Sequence, residues 1–166
     1  YEGAVDLAVV HRLPQGFLGD WLIDVEMIAV AVPNHPLFAL DRQLCMEDLV
    51  PHNQVVVRDS GHRQPRDDGW LGAERRWTVS NPQTAVMVVE AGLGFAWLPV
   101  CRIQQQLASG RLKALPLKAG QVRRGSLHLV IADPRQSGEA VNELAECFRQ
   151  TPSPAYVLTE NRQTMV

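Results

Sequence analysis

Apolar residues along this chain gather in short blocks, separated by segments in which they recur every three or four positions. The blocks at residues 5–10, 27–32, 55–57, 95–98 and 127–132 are the size of strands and far short of the ~18 residues that a membrane span needs. Between them, residues 41–50 place Leu44, Cys45, Asp48 and Leu49 at helical steps, and residues 82–91 do the same with Val86, Val89 and Glu90. Residues 102–109 and 138–150, the latter with Val141, Leu144, Ala145 and Phe148, behave likewise. Short strands alternating with helices of this length predict an α/β chain whose sheet contains parallel pairs buried on both faces. No repeat or low-complexity tract interrupts the pattern.

The punctuation sharpens some boundaries. Ser80-Asn81-Pro82-Gln83 predicts a helix start, because Ser or Asn caps orphan N–H groups, Pro suits the first turn, and Gln83 completes a capping box with Ser80. Gly92 suits the left-handed position that ends the same helix. Trp77-Thr78-Val79 has strand composition, residues 61–72 read as a polar loop, and Thr151-Pro152-Ser153-Pro154 breaks the last helix ahead of a patternless, mobile tail.

Composition narrows the class. The 166 residues are 46% hydrophobic and 20% charged, enough chain for a core that needs no metal or disulfide. The first half has a net charge of −5 and the second of +3, so neither half carries the basic excess of a nucleic-acid module. Cys45, Cys101 and Cys147 are an odd number without a C-x-x-C pair, which predicts free thiols and a reducing cytoplasm.

Catalytic and metal chemistry find little footing. Gly92-Leu93-Gly94 follows a helix and opens a strand, the reverse of a nucleotide-binding loop. Ser60 lacks a G-x-S-x-G elbow, and His11, His35, His52, His62 and His128 have no ligand spacing. Asp67-Asp68 lies in a loop, Glu47-Asp48 on a solvated helix face, and the doublets Arg75-Arg76 and Arg123-Arg124 read as solvated surface. What remains are polar residues at strand ends, where open α/β sheets bind ligands: His11-Arg12 after one strand, Arg58-Asp59-Ser60-Gly61 after another, and Ser80-Asn81 at a helix N-terminus that favours an anion. This is the profile of a ligand-binding module.

The order of these pieces resembles the effector-binding domain of LysR-type transcriptional regulators. Gly3-Ala4-Val5-Asp6-Leu7-Ala8-Val9-Val10 is similar to that family's "G-x-x-D-L-A-I-V" strand, Ala31-Val32-Pro33-Asn34-His35-Pro36-Leu37 to its "V-x-P-x-x-H-P-L" segment, and Met46-Glu47-Asp48-Leu49 to its "L-x-D-L" helix. Val88-Val89-Glu90-Ala91-Gly92-Leu93-Gly94-Phe95-Ala96-Trp97-Leu98-Pro99 follows "V-x-x-G-L-G-I-A-x-L-P" most closely. The resemblance covers roughly residues 3–150.

It implies a periplasmic-binding-protein-like α/β fold: two Rossmann-like subdomains joined by crossover strands, with a small-molecule effector in the cleft. The first subdomain is expected at residues 1–52 and 134–150, incomplete because the family's first strand and helix precede Tyr1. The second is expected at 53–133, with a tail at 151–166. The resemblance implies an effector site at Val10, His11, Arg12, Arg58, Ser60, Gly61, Ser80, Asn81, Thr84, Trp97, Leu98 and Pro99. Ser60, Ser80, Asn81 and Thr84 would donate hydrogen bonds, Arg58 or Arg12 would supply charge, and Trp97 and Leu98 an apolar wall. The effector is expected to be a carboxylate or other anion, with Phe95 and Trp97 tolerating an aromatic part. No catalytic residue, metal or cofactor is implied. Promoter DNA would be met only through a helix-turn-helix domain absent from this chain, in a cytoplasmic homodimer or homotetramer without membrane contact. The alternatives are a solute-binding protein of the same fold and, less favoured, an enzyme using His11 or Asp59.

Overall fold

The computed structural model describes residues 5–58 and 72–151. In chain order the elements are strands β1 (Leu7–Val10), β2 (Asp20–Ala31) and β3 (Asn53–Val57), preceded by a short helix α1 (Met46–Leu49). There follow β4 (Arg75–Val79), helix α2 (Pro82–Glu90), β5 (Ala96–Pro99), helix α3 (Val100–Ala108), β6 (Lys113–Ala114), β7 (Val122–Ile131) and helix α4 (Glu139–Gln150). A 3-10 turn at Pro36–Leu40, unforeseen by the periodicity, lies between β2 and α1.

The chain forms two compact units, one of Tyr1–Val25 with Arg124–Val166 and one of Glu26–Arg123. The division falls within β2 and β7. β2 runs twelve residues, and its C-terminal half, Met27 to Ala31, pairs with β5 and β6 of the second unit.

In the first unit β1 pairs antiparallel with β7, Leu7 opposite Ile131 and Val10 opposite His128. Asp24 of β2 accepts hydrogen bonds from Ser126 Oγ of β7 at 2.6 Å and from Trp21 Nε1 at 3.0 Å. These two bonds hold the Asp24 carboxyl below the ordinary carboxylate range, with Ser126 the larger cause. Helix α4 buries Ala145 and binds β2 through the Arg149–Asp20 ion pair at 2.6 Å.

The second unit holds a core of Ala29, Ala31, Leu37, Leu44, Leu49, Phe95, Leu115 and Leu117. Residues 28–31 of β2 are all buried, the continuous apolar run expected of a strand covered on both faces. Its partners β5 and β6 are antiparallel, however, and the parallel pairs seen among the described residues are β3–β4 and the isolated bridges Leu44–Leu117 and Gln54–Phe95. Block periodicity reports burial, which both kinds of sheet can produce, and it does not report strand direction.

The helix expected over 41–50 shrinks to α1, because Leu44 is drawn into a bridge with Leu117, its N–H donating to Pro116 O at 2.8 Å. Asp48 is not the solvated carboxylate that its helix position suggested. It accepts from Cys45 N at 2.8 Å and holds Arg42 through two contacts of 2.7 Å, and these bonds, that of Arg42 foremost, keep it ionised well below the usual range. Helix α3 begins two residues early, directly after Pro99.

Candidate functional site

β3 and β4 run parallel, with Val57 opposite Val79, so the chain leaves both strands at the same end. Arg58 stays tied there, its N–H donating to Val79 O at 2.8 Å. Ser80 and Asn81 follow β4 and lead into α2. As a result Arg58, Thr78, Val79, Ser80 and Thr84 line one solvent-open concavity of about 410 Å³, a volume within the range of small-molecule sites.

Asn81, rather than Ser80, caps α2. Its side-chain carbonyl accepts from Thr84 N at 2.8 Å and from Thr84 Oγ1 at 3.1 Å, and the expected Ser80–Gln83 capping box does not form. Pro82 explains the choice: with its φ preset for the first helical position, the residue just before it becomes the cap. Because Ala85 N donates to Asn81 O at 3.3 Å and Pro82 has no N–H, the Gln83 N–H is the first-turn donor left over among the described residues. Thr84's hydroxyl proton is already given to Asn81, so toward a ligand Thr84 offers lone pairs and Asn81 only its amide N–H groups. Asn81→Ala should therefore destabilise the protein by ~1 kcal/mol in denaturant titration, and Asn81→Ser by only a few tenths.

The other sequence-derived residues are placed as follows. Ser60 and Gly61 lie outside the described residues, as do Asp59 and the 61–71 part of the polar loop. Val10, His11 and Arg12 belong to the first unit; Val10 ends β1, and His11 and Arg12 are exposed beyond it. Trp97 is half-buried, with Nε1 donating to Gly120 O at 2.8 Å and its ring edge-on to Phe95 at 5.9 Å. Leu98 is wholly buried opposite Ile28, inside the core, and Pro99 is half-buried opposite Met27.

Two groups escaped the sequence reading. Thr78 and Val79 line the concavity because the register of β4 brings the strand's end there, and only the pairing with β3 could have shown it. Arg123 is not solvated surface: its guanidinium sits 3.9 Å from the centroid of the Trp97 ring, and burial pushes its pKa down. Strand alternation was the available signal, since Arg123 is in phase with the inward Leu127 and Leu129. Among the described residues no three His, Cys, Asp or Glu side chains gather as metal ligands, and no helix is long and apolar enough to cross a membrane.

A two-unit α/β chain in which Arg58, Ser80 and Thr84 line a concavity at strand ends and a helix N-terminus has a ligand-binding architecture. The family model described as LysR substrate binding domain matches residues 1–153, and the chain belongs to that family. It is 27% identical over 127 residues to the probable HTH-type transcriptional regulator YhaJ of Escherichia coli (strain K12), covering 75% of this chain and 40% of that protein. Among solved structures, full-length LysG from Corynebacterium glutamicum with bound effector Arg is similar at a TM-score of 0.63 and 18% identity, over 89% of this chain and 51% of that one. The regulatory domain of Synechocystis PCC6803 CcmR in complex with 2-PG is similar at 0.60 and 12%, over 87% and 72%. The fold is thus the periplasmic-binding-protein-like fold of LysR regulatory domains, and the chain spans about two-fifths of the length of YhaJ and half that of LysG.

Proposed function

We propose that this chain is the sensing domain of a LysR-type transcriptional regulator and takes a small carboxylate or related anion at the N-terminus of α2. The observation that carries the reading is the convergence of Arg58, Ser80 and Thr84 on one concavity beside a first-turn N–H. A guanidinium offers paired donors to a carboxylate, and the positive end of α2 adds to the same preference. Bound structures of relatives, LysG with Arg and CcmR with 2-PG, support a role in recognising small molecules. The groups at the concavity are suited to holding a ligand rather than transforming one, and the relatives' names are those of regulators.

Signalling requires the effector to prefer one conformer of the intact, oligomeric regulator, because equal affinity for both shifts nothing. The attached helix-turn-helix domains would then hold promoter DNA differently in the two states, in the cytoplasm. Occupancy of N alone, at a hundredfold excess over Kd, adds ~2.7 kcal/mol of stability. Benzoate-like and aliphatic acids are therefore expected to raise the melting temperature by several degrees, and neutral amines are not. Ser80→Ala and Arg58→Gln should each weaken the dose response about fivefold or more, in line with ~1 kcal/mol per lost hydrogen bond. Unchanged dose responses in both variants would count against this site.

A further inference from the structure

Arg123 occupies an unusual position for an arginine. It stands at the start of β7 in the second unit, half-buried, its guanidinium 3.9 Å from the centroid of Trp97. Among the described residues it makes no ion pair, and burial is the cause of its lowered pKa, with no carboxylate offsetting it. A guanidinium withdrawn from water is costly unless its donors are met, and the face of an indole satisfies the charge but none of the N–H groups. A guanidinium carries its five donors in one plane, in the fork that matches two coplanar oxygens.

The platform beneath it is held in place. Trp97 Nε1 donates to Gly120 O at 2.8 Å, and the next residue of that turn, Gln121, accepts from Ala29 N at 3.0 Å, which ties the turn to the buried half of β2. Trp97 itself lies in register opposite Ala29. A stacked, partly desolvated arginine on a fixed indole is a preorganised anion receptor, because little rotamer freedom remains to be lost on binding.

We propose that Arg123, stacked on Trp97, is a second anion-binding site of this chain, separate from the α2 concavity, and that it takes an oxyanion presenting two coplanar oxygens, either a carboxylate or a phosphate. It does not depend on the Ser80–Thr84 reading.

The indole N–H resonance of Trp97, assigned with Trp97→Phe, reports on the platform directly. The 166-residue chain is titrated with succinate and, separately, with inorganic phosphate at constant ionic strength. A saturable shift in the millimolar range with at least one probe is expected, and which probe saturates identifies the oxyanion class. Arg123→Met should weaken that titration at least tenfold. Arg123→Lys, which keeps the charge and the aliphatic stem but loses the fork, should weaken it at least fivefold and serves where the methionine variant does not fold. Ser80→Ala should leave it unchanged. The proposal is overturned by shifts that rise linearly with both probes, by either Arg123 variant titrating like the wild type, or by loss of the indole response in Ser80→Ala, which would place the anion at α2.

Discussion

Gly94→Ala is expected to lower the stability of the protein by about 3–5 kcal/mol, a large share of the ~5–15 kcal/mol that keeps an ordinary domain folded. Gly94 is buried, and a methyl group on it would collide with the carbonyl oxygen of Asn53 while standing 3.1 Å from the carbonyl carbon behind it. The obstacle is backbone, so no rotamer change relieves it. Around this contact Phe95 N donates to Asn53 O at 3.0 Å and Val55 N to Phe95 O at 2.9 Å, the bonds that set β3 beside the start of β5. Overpacking by one carbon costs ~1–3 kcal/mol, and loss of two backbone bonds adds about 1 kcal/mol each. Gly92, two residues earlier, is a control with a different cause. It has φ +75°, and a Cβ there would meet only Val32 Cγ2 at 3.6 Å, so Gly92→Asn, which tolerates the left-handed region, should cost well under 1 kcal/mol. Equal losses in the two variants, measured by urea titration, would refute the steric account.

A second large effect is expected in acid. His35 is 7% exposed, its Nδ1 accepts from Leu37 N at 3.3 Å to cap the 3-10 turn, and the His52 ring lies 5.1 Å away. Burial, helped by the neighbouring imidazole, pushes its pKa down from 6.5 to about 4. The folded form therefore binds this proton less readily than the unfolded chain. The stabilising contribution is complete above pH ~6.5 and is lost progressively as the pH falls toward 4, below which nothing further is lost. With allowance for the solvent that still reaches this region, the loss is on the order of 2 kcal/mol across that window. Protonation of Nδ1 also removes the acceptor for Leu37 N. His52, whose pKa burial lowers as well, adds to the loss with the same sign. His35→Asn keeps a side-chain acceptor for the turn and removes the titration. Its denaturation free energy should fall less steeply than that of the wild type between pH 6.5 and 4, and parallel curves would show that His35 does not carry the effect.

Much of the architecture was legible along the chain because its causes are local. Pro82 with a capping residue before it starts α2, and Gly92 in the left-handed region ends it. The apolar blocks at 55–57 and 95–98 became β3 and β5 nearly in place. Where the expectation missed, the cause was distant in sequence. β2 extends seven residues beyond the apolar block on its N-terminal side, through Asp20 and Asp24, because partners outside that segment satisfy their carboxylates: Arg149, 129 residues away, and Ser126, 102 residues away. The helix anticipated from Asp41 lost its first residues to a bridge with Leu117.

The candidate site divides along the same line. Ser80, Asn81 and Arg58 could be named from the sequence by themselves, because capping chemistry and strand-end position are properties of neighbouring residues, and Thr84 came from the family resemblance. That Arg58 and Ser80 share one concavity depended on the parallel register of β3 and β4, and that Arg123 lies over Trp97 depended on a turn tied to β2. Local rules act over the few residues that a helix turn or strand pleat spans. Register, strand direction and the companions of a buried charge are decided by hydrogen bonds and packing between segments dozens of residues apart, so only the tertiary structure decided them.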